Sequence, residues 1–463
     1  MAIKHFTYAA IPLIAASMSS QAATVDQLNR QVQKLNQRIA AQDQRFRVNG
    51  FATFGMSIAD EEVAYDGVDD EVNFGRYSKI GVQMTFNIDR QNSVVTQLVS
   101  RGNNSWETNA EWAYFKHDFN NGFTGKVGRI RLPAFMLSEF LDVGYAVPWA
   151  NMPAESYNAL EPFANMEGVD ISYSTDVGDM SATVQFAYGR STSESYDLKG
   201  LASLNASLQA DTWNAKASYS SAAGTDVINE TTKSALALYG SDGTDLGGSF
   251  ISLGFTYDPG DLYFSTEYTK LEVDGVIVDQ DSVHATFGYR MGRFMPTITY
   301  GMVESKDDDE RDLAKIIAAD PVLDASSGAT LSVLMGAANL FAVGDGSTSA
   351  ANIATVAAAS SGALPTATGT DLVNKATLDG AIAGAQGVLG AAQSLQAQQN
   401  TDSTRIGLGL RYDMSPGTAL KLQYDLVETN ETTGLFDPDA HIAAGATAPD
   451  TTNILTISID TVF

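Results

Sequence analysis

No cysteine occurs among the 463 residues, so no disulfide framework supports the fold. Long apolar runs are missing as well: beyond the N-terminal segment, no stretch reaches the ~18 continuous apolar residues of a membrane helix. The mean hydropathy is slightly negative at −0.09. A helical membrane protein is thereby excluded. Basic residues are scarce, 28 Lys and Arg against 55 Asp and Glu, for a formal net charge of −27. That balance argues against a nucleic-acid partner and suits the attraction of cations. Histidine is rare too, with only His5, His117, His284 and His441. No G-x-S-x-G, H-E-x-x-H, glycine-rich phosphate loop or metal-ligand spacing accompanies them. The sequence therefore nominates no catalytic residue, no cofactor and no metal, and reads as a non-enzyme.

The N-terminal segment points to export. Lys4 and His5 precede an apolar stretch from Phe6 to about Ala16, and Ser20, Gln21 and Ala22 supply the small residues of a secretory cleavage site. A signal peptide over 1–22 is expected, cut after Ala22 or Ala23. Its apolar part is too short for a permanent helical anchor.

The rest is dominated by alternation with a period of two. In SKIGVQMTFNID, residues Ile80, Val82, Met84, Phe86 and Ile88 fall on one face, and Lys79, Gly81, Gln83, Thr85 and Asn87 on the other. The last nine residues, LTISIDTVF, repeat the pattern and stop on an aromatic carboxyl terminus. Such a strand needs a partner strand and an apolar medium. Sixteen runs of this kind are expected, at about 46–58, 78–89, 92–101, 109–119, 123–131, 168–175, 178–190, 199–209, 212–220, 249–257, 261–271, 281–290, 294–303, 402–412, 417–427 and 452–463.

The connections alternate in length. Residues 89–92, 176–179, 258–261 and 413–417 are tight turns rich in Asp, Asn, Gly and Pro, whereas 59–77, 102–108, 132–167, 191–198, 221–248, 272–280, 304–401 and 428–451 are longer. Short turns on one side, long loops on the other and an even strand number describe a transmembrane antiparallel β-barrel, an all-β fold with 46–463 as one domain. Both termini then lie in the periplasm and the long loops outside the cell. A barrel of that size has room for an aqueous channel. Lys79, Gln83, Lys126, Gln185, Lys216, Glu267, His284, Arg290, Arg405, Arg411, Lys421, Gln423 and Asp425 fall on the inward parity, too many polar groups for a dry core.

The third long loop is the exception to polar connections. It carries Phe135, Met136, Leu137, Phe140, Leu141, Tyr145 and Trp149, and is expected to bury them against the inner wall. Its GRIRLP opening and its LDVGYAVPW stretch resemble those of the trimeric general porins of Gram-negative outer membranes, of the marine gammaproteobacterial type. The resemblance extends over 46–303 and 402–463, and the C-terminal Phe463 resembles the signal by which the barrel assembly machinery recognises its clients. It implies an outer-membrane homotrimer, in lipid and lipopolysaccharide, that lets small hydrophilic solutes and ions diffuse. It also implies a constriction in which loop acids face wall bases. The matching acids are Glu139, Asp142, Glu155 and Glu161, and the bases Lys79, Lys126, Arg129, Arg131, Arg405, Arg411 and Lys421. A solute-specific channel, or a surface receptor or adhesin using its long loops, is the alternative function.

Three segments stand apart. In 23–45, Val25, Leu28, Val32, Leu35 and Ile39 form a short coiled-coil seam, read as a periplasmic trimerising helix or as one lying on the membrane surface or in the barrel mouth. The 304–401 insertion is rich in Ala, Gly, Ser and Thr, and reads either as two or three short helices over the mouth or as low-complexity slack. In the first long loop, Asp60, Glu61, Glu62, Asp66, Asp69, Asp70 and Glu71 either share divalent cations with lipopolysaccharide phosphates or form a solvated acidic loop.

Overall fold

The computed structural model describes residues 45–62, 64–158, 160, 164–193, 196–227, 244, 246–274, 278–306, 402–429 and 449–463. The expected signal peptide, the seam residues Val25, Leu28, Val32, Leu35 and Ile39, nearly all of the 304–401 insertion and Glu161 lie outside these residues.

The described residues form one antiparallel sheet. Its strands are β1 (Phe46–Ala59), β2 (Lys79–Asn87), β3 (Asn92–Arg101), β4 (Thr108–Asp118), β5 (Phe123–Arg131), β6 (Asn165–Val177), β7 (Met180–Thr192), β8 (Tyr196–Gln209), β9 (Trp213–Ala222), β10 (Gly224–Val227), β11 (Gly248–Tyr257), β12 (Leu262–Val273), β13 (Gln280–Tyr289), β14 (Phe294–Ser305), β15 (Ser403–Ser415), β16 (Thr418–Thr429) and β17 (Thr451–Val462). Apart from the short β10, each pairs with the next strand in sequence, β9 with β11, and β1 pairs with β17 from Phe51↔Val462 to Ala59↔Ile454, which closes the ring. Strand β10 continues β9 past Ala223 along the same edge of β8. The two make one stave, and the barrel has sixteen.

All sixteen alternating runs become staves. The largest boundary differences, three residues each, lie at the end of β15 and at the long-loop end of β6 and β8. At that end β7 and β8 stay paired through Ser191↔Leu198 and Thr192↔Asp197, so the connection expected over 191–198 shrinks to 193–195. Arg190 clamps Asp197 across the two strands, and a register shift lies between Gly189 and Ser191. Polar residues there mimic a loop in sequence, yet they pair as a ladder.

The polarity of the wall is inverted relative to a soluble protein. On β16, Leu422, Tyr424 and Leu426 are more than 40% exposed, while Lys421, Gln423 and Asp425 between them are 2% exposed or less. The same holds around the ring: Val169, Ile171, Val184, Phe186, Leu253, Ile298, Leu408 and Ile459 face outward, and Asp170, Asn205, Ser252, Glu267, Thr299, Arg405 and Asp460 are buried within. An apolar band outside and a polar interior is the arrangement a lipid bilayer stabilises. At the closing seam the Phe463 N–H donates to Gly50 O at 2.9 Å and Gly50 N–H to Phe463 O at 2.6 Å, so the last residue completes the ladder.

Candidate functional site

Among the described residues, two apolar sockets interrupt the polar interior, both at the long-loop end. The first is formed by Ile130, Met166, Leu201 and Phe250 on β5, β6, β8 and β11. Onto it fold Leu132, Phe135, Tyr157 and Leu160 of the third long connection, residues 132–164, here loop 3. The Phe135 ring meets Phe250 edge-on with centroids 5.0 Å apart and Tyr157 at 5.2 Å. Each such buried side chain contributes roughly 1.5–3 kcal/mol toward holding the loop inside.

From this base loop 3 crosses the barrel. Met136 N–H donates to the Glu267 carboxylate on β12 at 2.7 Å, and six positions later Asp142 accepts from Arg101 on β3 at 2.8 Å. In a ring of sixteen, with β9 and β10 as one stave, β3 and β12 are eight staves apart and so stand opposite each other. Residues 137–141 therefore run along a diameter, with a short 3-10 turn at Ser138–Phe140.

The loop then returns along the wall of β13 to β17, tied to it by side-chain and backbone hydrogen bonds. Lys421 donates to Gly144 O at 2.6 Å and Trp149 O at 2.8 Å, and Arg411 donates to Tyr145 O at 2.8 Å and Val147 O at 3.0 Å. Trp149 Nε1 donates to Thr286 at 2.9 Å and Thr299 at 3.1 Å, and Gln423 Oε1 accepts from the N–H groups of Ala150 and Asn151. Gly301 leaves a notch on β14: a Cβ there would stand 2.8 Å from the Glu155 carboxyl carbon.

The charged residues singled out in sequence fall into distinct environments. Asp142, 6% exposed, lies against Arg101, Arg131 at 2.7 Å and Lys79 at 3.9 Å, and Glu111 bridges Arg101 at 2.6 Å and Arg131 at 3.7 Å. Burial alone would raise the Asp142 carboxyl, but these three cations hold it well below the ordinary carboxylate range. Lys79 also donates to Leu141 O at 3.0 Å. Glu155, buried, accepts from Arg405 at 2.7 Å, and Arg405 reaches Asp425 at 3.1 Å. Lys421 pairs with Asp460 at 3.0 Å, and Arg411 with Asp413 at 2.8 Å.

Glu139 differs from its neighbours. It is exposed at the middle of the crossing and within electrostatic reach of Tyr114, Asp170 and Lys216. Lys126 lies 3.7 Å from Asp170 and over the Tyr114 ring, on the wall left uncovered by the returning arm. Arg129 is drawn to the rim, where it pairs with Glu167 and donates to Ala110 O at 2.6 Å.

Sequence reasoning did not single out Arg101, Glu111 or Asp460, and it placed Asp66 only among the acids of the first long loop. Glu111 is buried because of a register shift between Gln97 and Leu98 on the facing strand, and no period-two pattern reports such a shift. Asp66 is buried because the first long connection, residues 60–78 (loop 1), also turns inward, and so the solvated acidic loop expected there does not extend to Asp66. The signal was the pair Asp66-Gly67. With φ of 50° and 74° they make the tight hairpin turn that such a dipeptide favours, closed by mutual hydrogen bonds of Tyr65 and Val68 at 2.9 and 3.0 Å. A cavity of about 380 Å³ between loop 1, loop 3 and the wall is lined by Arg76, Lys79, Arg101, Arg131, Asp66 and Asp142, among others.

No protein-family description and no curated protein matches the chain by sequence. By structure it is similar to the anion-selective porin from Comamonas acidovorans, with a TM-score of 0.51 and 13% identity over 90% of this chain and 99% of that one. It also aligns with OmpF of Salmonella typhi in complex with daunomycin (TM-score 0.48, 10% identity, 90% and 97% covered) and with OprB of Pseudomonas putida (0.48, 9%, 93% and 97%). At these identities the likeness is one of fold, and the first comparison carries it: the chain is a closed sixteen-stranded barrel of the architecture seen in a porin.

Proposed function

We propose that the protein is an outer-membrane porin: a water-filled channel through which small hydrophilic solutes and ions diffuse passively, narrowed by loop 3. The observation that carries this reading is the combination of an apolar outer band with a loop that spans the polar interior along a diameter. A barrel built only as a scaffold for surface loops has no need of a strap across its lumen. On this reading the long loops are extracellular and the termini periplasmic, the functional unit is a homotrimer, and the N-terminal seam serves its association. Phe463, which completes the closing ladder, doubles as the assembly signal.

The wall bases and loop acids divide their work. Asp142, Glu155, Lys79, Arg131, Arg405, Arg411 and Lys421 fix loop 3 in place. Glu139 and Lys126 supply the charge that a passing ion meets. Exposed charges on the outer loops are screened within about 8 Å at physiological salt, whereas those in a narrow gap are screened less, so the gap sets the selectivity. Selectivity is weak and cation-leaning at low salt, and approaches neutral as salt rises. Planar-bilayer recording tests the reading. A general porin gives large ohmic steps. Small steps blocked by one solute would favour the solute-specific channel, and no steps at all would favour a receptor or adhesin.

A further inference from the structure

Loop 1 meets loop 3 inside the barrel, although the two are far apart in sequence. The tip of loop 1 enters a second apolar socket, made by Ala59, Val427 and Ile454 on β1, β16 and β17. Tyr65 is 2% exposed and Val68 fully buried in it, with Tyr77 packed alongside. These two side chains pull the acidic turn between them below the rim.

What the turn then touches is the returning arm of loop 3. Asp66 accepts from Asn158 Nδ2 at 2.9 Å and from the Tyr77 hydroxyl at 3.2 Å, and pairs with Arg76 of its own loop. Tyr65 lies within electrostatic reach of Glu155 and Arg405, the ion pair that anchors the same arm. Residues 155–158 are thus held from below by the wall, through Arg405, Ser282 and His284, and from above by loop 1.

We propose that the tip of loop 1, Tyr65 to Val68, is a latch: Asp66 is a positioning residue that clamps Asn158 and keeps the returning arm of loop 3 seated against the wall. An ionised acceptor makes this bond stronger than a neutral one, and losing it shifts a local opening equilibrium about tenfold. The function of the latch rests on the porin reading, but its existence does not.

The absence of cysteine makes the test direct. Ser156→Cys places one thiol at a fully buried position of the returning arm. Its labelling by a maleimide is followed on the folded barrel in detergent, with heat-modifiable migration as the folding control. Adding Asp66→Ala, or separately Asn158→Ala, accelerates labelling about tenfold, and the two together accelerate it no further, because each removes the same bond. Asp66→Asn, which retains an acceptor, restores part of the protection. Unchanged labelling with Asp66→Ala overturns the latch, and acceleration with Asp66→Ala but not with Asn158→Ala reduces it to a local effect within loop 1. Bilayer recordings separate the two ideas. Added current noise in Asp66→Ala supports the latch as part of a channel. Accelerated labelling in a protein that passes no current leaves the latch standing and removes the porin.

Discussion

Loop 3 and loop 1 both turn into the barrel, but by different chemistry. Loop 3 enters on a broad apolar base and is then held by buried charge clusters around Asp142, Glu155 and Lys421. Loop 1 enters on two apolar side chains at the tip of an acidic hairpin, and offers one carboxylate to its neighbour. The first mode fixes a loop across a lumen, because removing one member leaves buried partners with less countercharge than the cluster supplies. The second is a light contact that can add or release hold on the first.

The sharpest break of this contrast is Glu155→Ala. It removes one of the two carboxylates on the Arg405 guanidinium, which is 2% exposed and keeps Asp425 at 3.1 Å, so the cost lies at the lower end of the about 3–5 kcal/mol of breaking a buried pair. Loop 3 becomes susceptible to limited proteolysis between 143 and 158 while the barrel itself stays heat-modifiable. A smaller effect is expected at the other loop. Val68→Ala removes two buried methyl groups, worth about 1.5 kcal/mol, and should expose the loop 1 tip while releasing loop 3 to protease far less than Glu155→Ala does. If Val68→Ala frees loop 3 as fully as Glu155→Ala does, the two modes are not distinct. The smallest structural effect belongs to Glu139→Gln. Its carboxylate is exposed and its replacement changes stability by no more than about 0.5 kcal/mol, yet the reversal potential across a salt gradient shifts toward anions.

The difference between the loops also accounts for what was legible in the sequence. Alternation revealed every stave, because a wall between lipid and water must change polarity at each residue. Loop 3 was legible because its aromatic residues have no place in solvent. Loop 1 was not: Tyr65 and Val68 stand among seven acids, and their burial shows only in the Asp66-Gly67 turn and in the socket that receives them. The sockets themselves are visible as errors in the alternation. Met166, Leu201, Phe250, Val427 and Ile454 are apolar at inward positions, where Asp170, Asn205, Ser252, Asp425 and Thr456 on the same strands are polar. The partners of Asp142 were beyond reach for another reason. Arg101, Glu111 and Arg131 come together through pairing of β3, β4 and β5 and a register shift, which are properties of the closed ring and not of any one strand.

On the porin reading, loop 3 crosses an open aqueous path with Glu139 at its middle. The most direct test uses Glu139→Cys as the only thiol in the chain, modified by a charged methanethiosulfonate during a single-channel recording. An anionic reagent and a cationic one are both expected to lower the current, and to shift the ion selectivity in opposite directions. A current that continues unchanged after complete modification would contradict this reading, because then no ions pass the place where the loop spans the barrel.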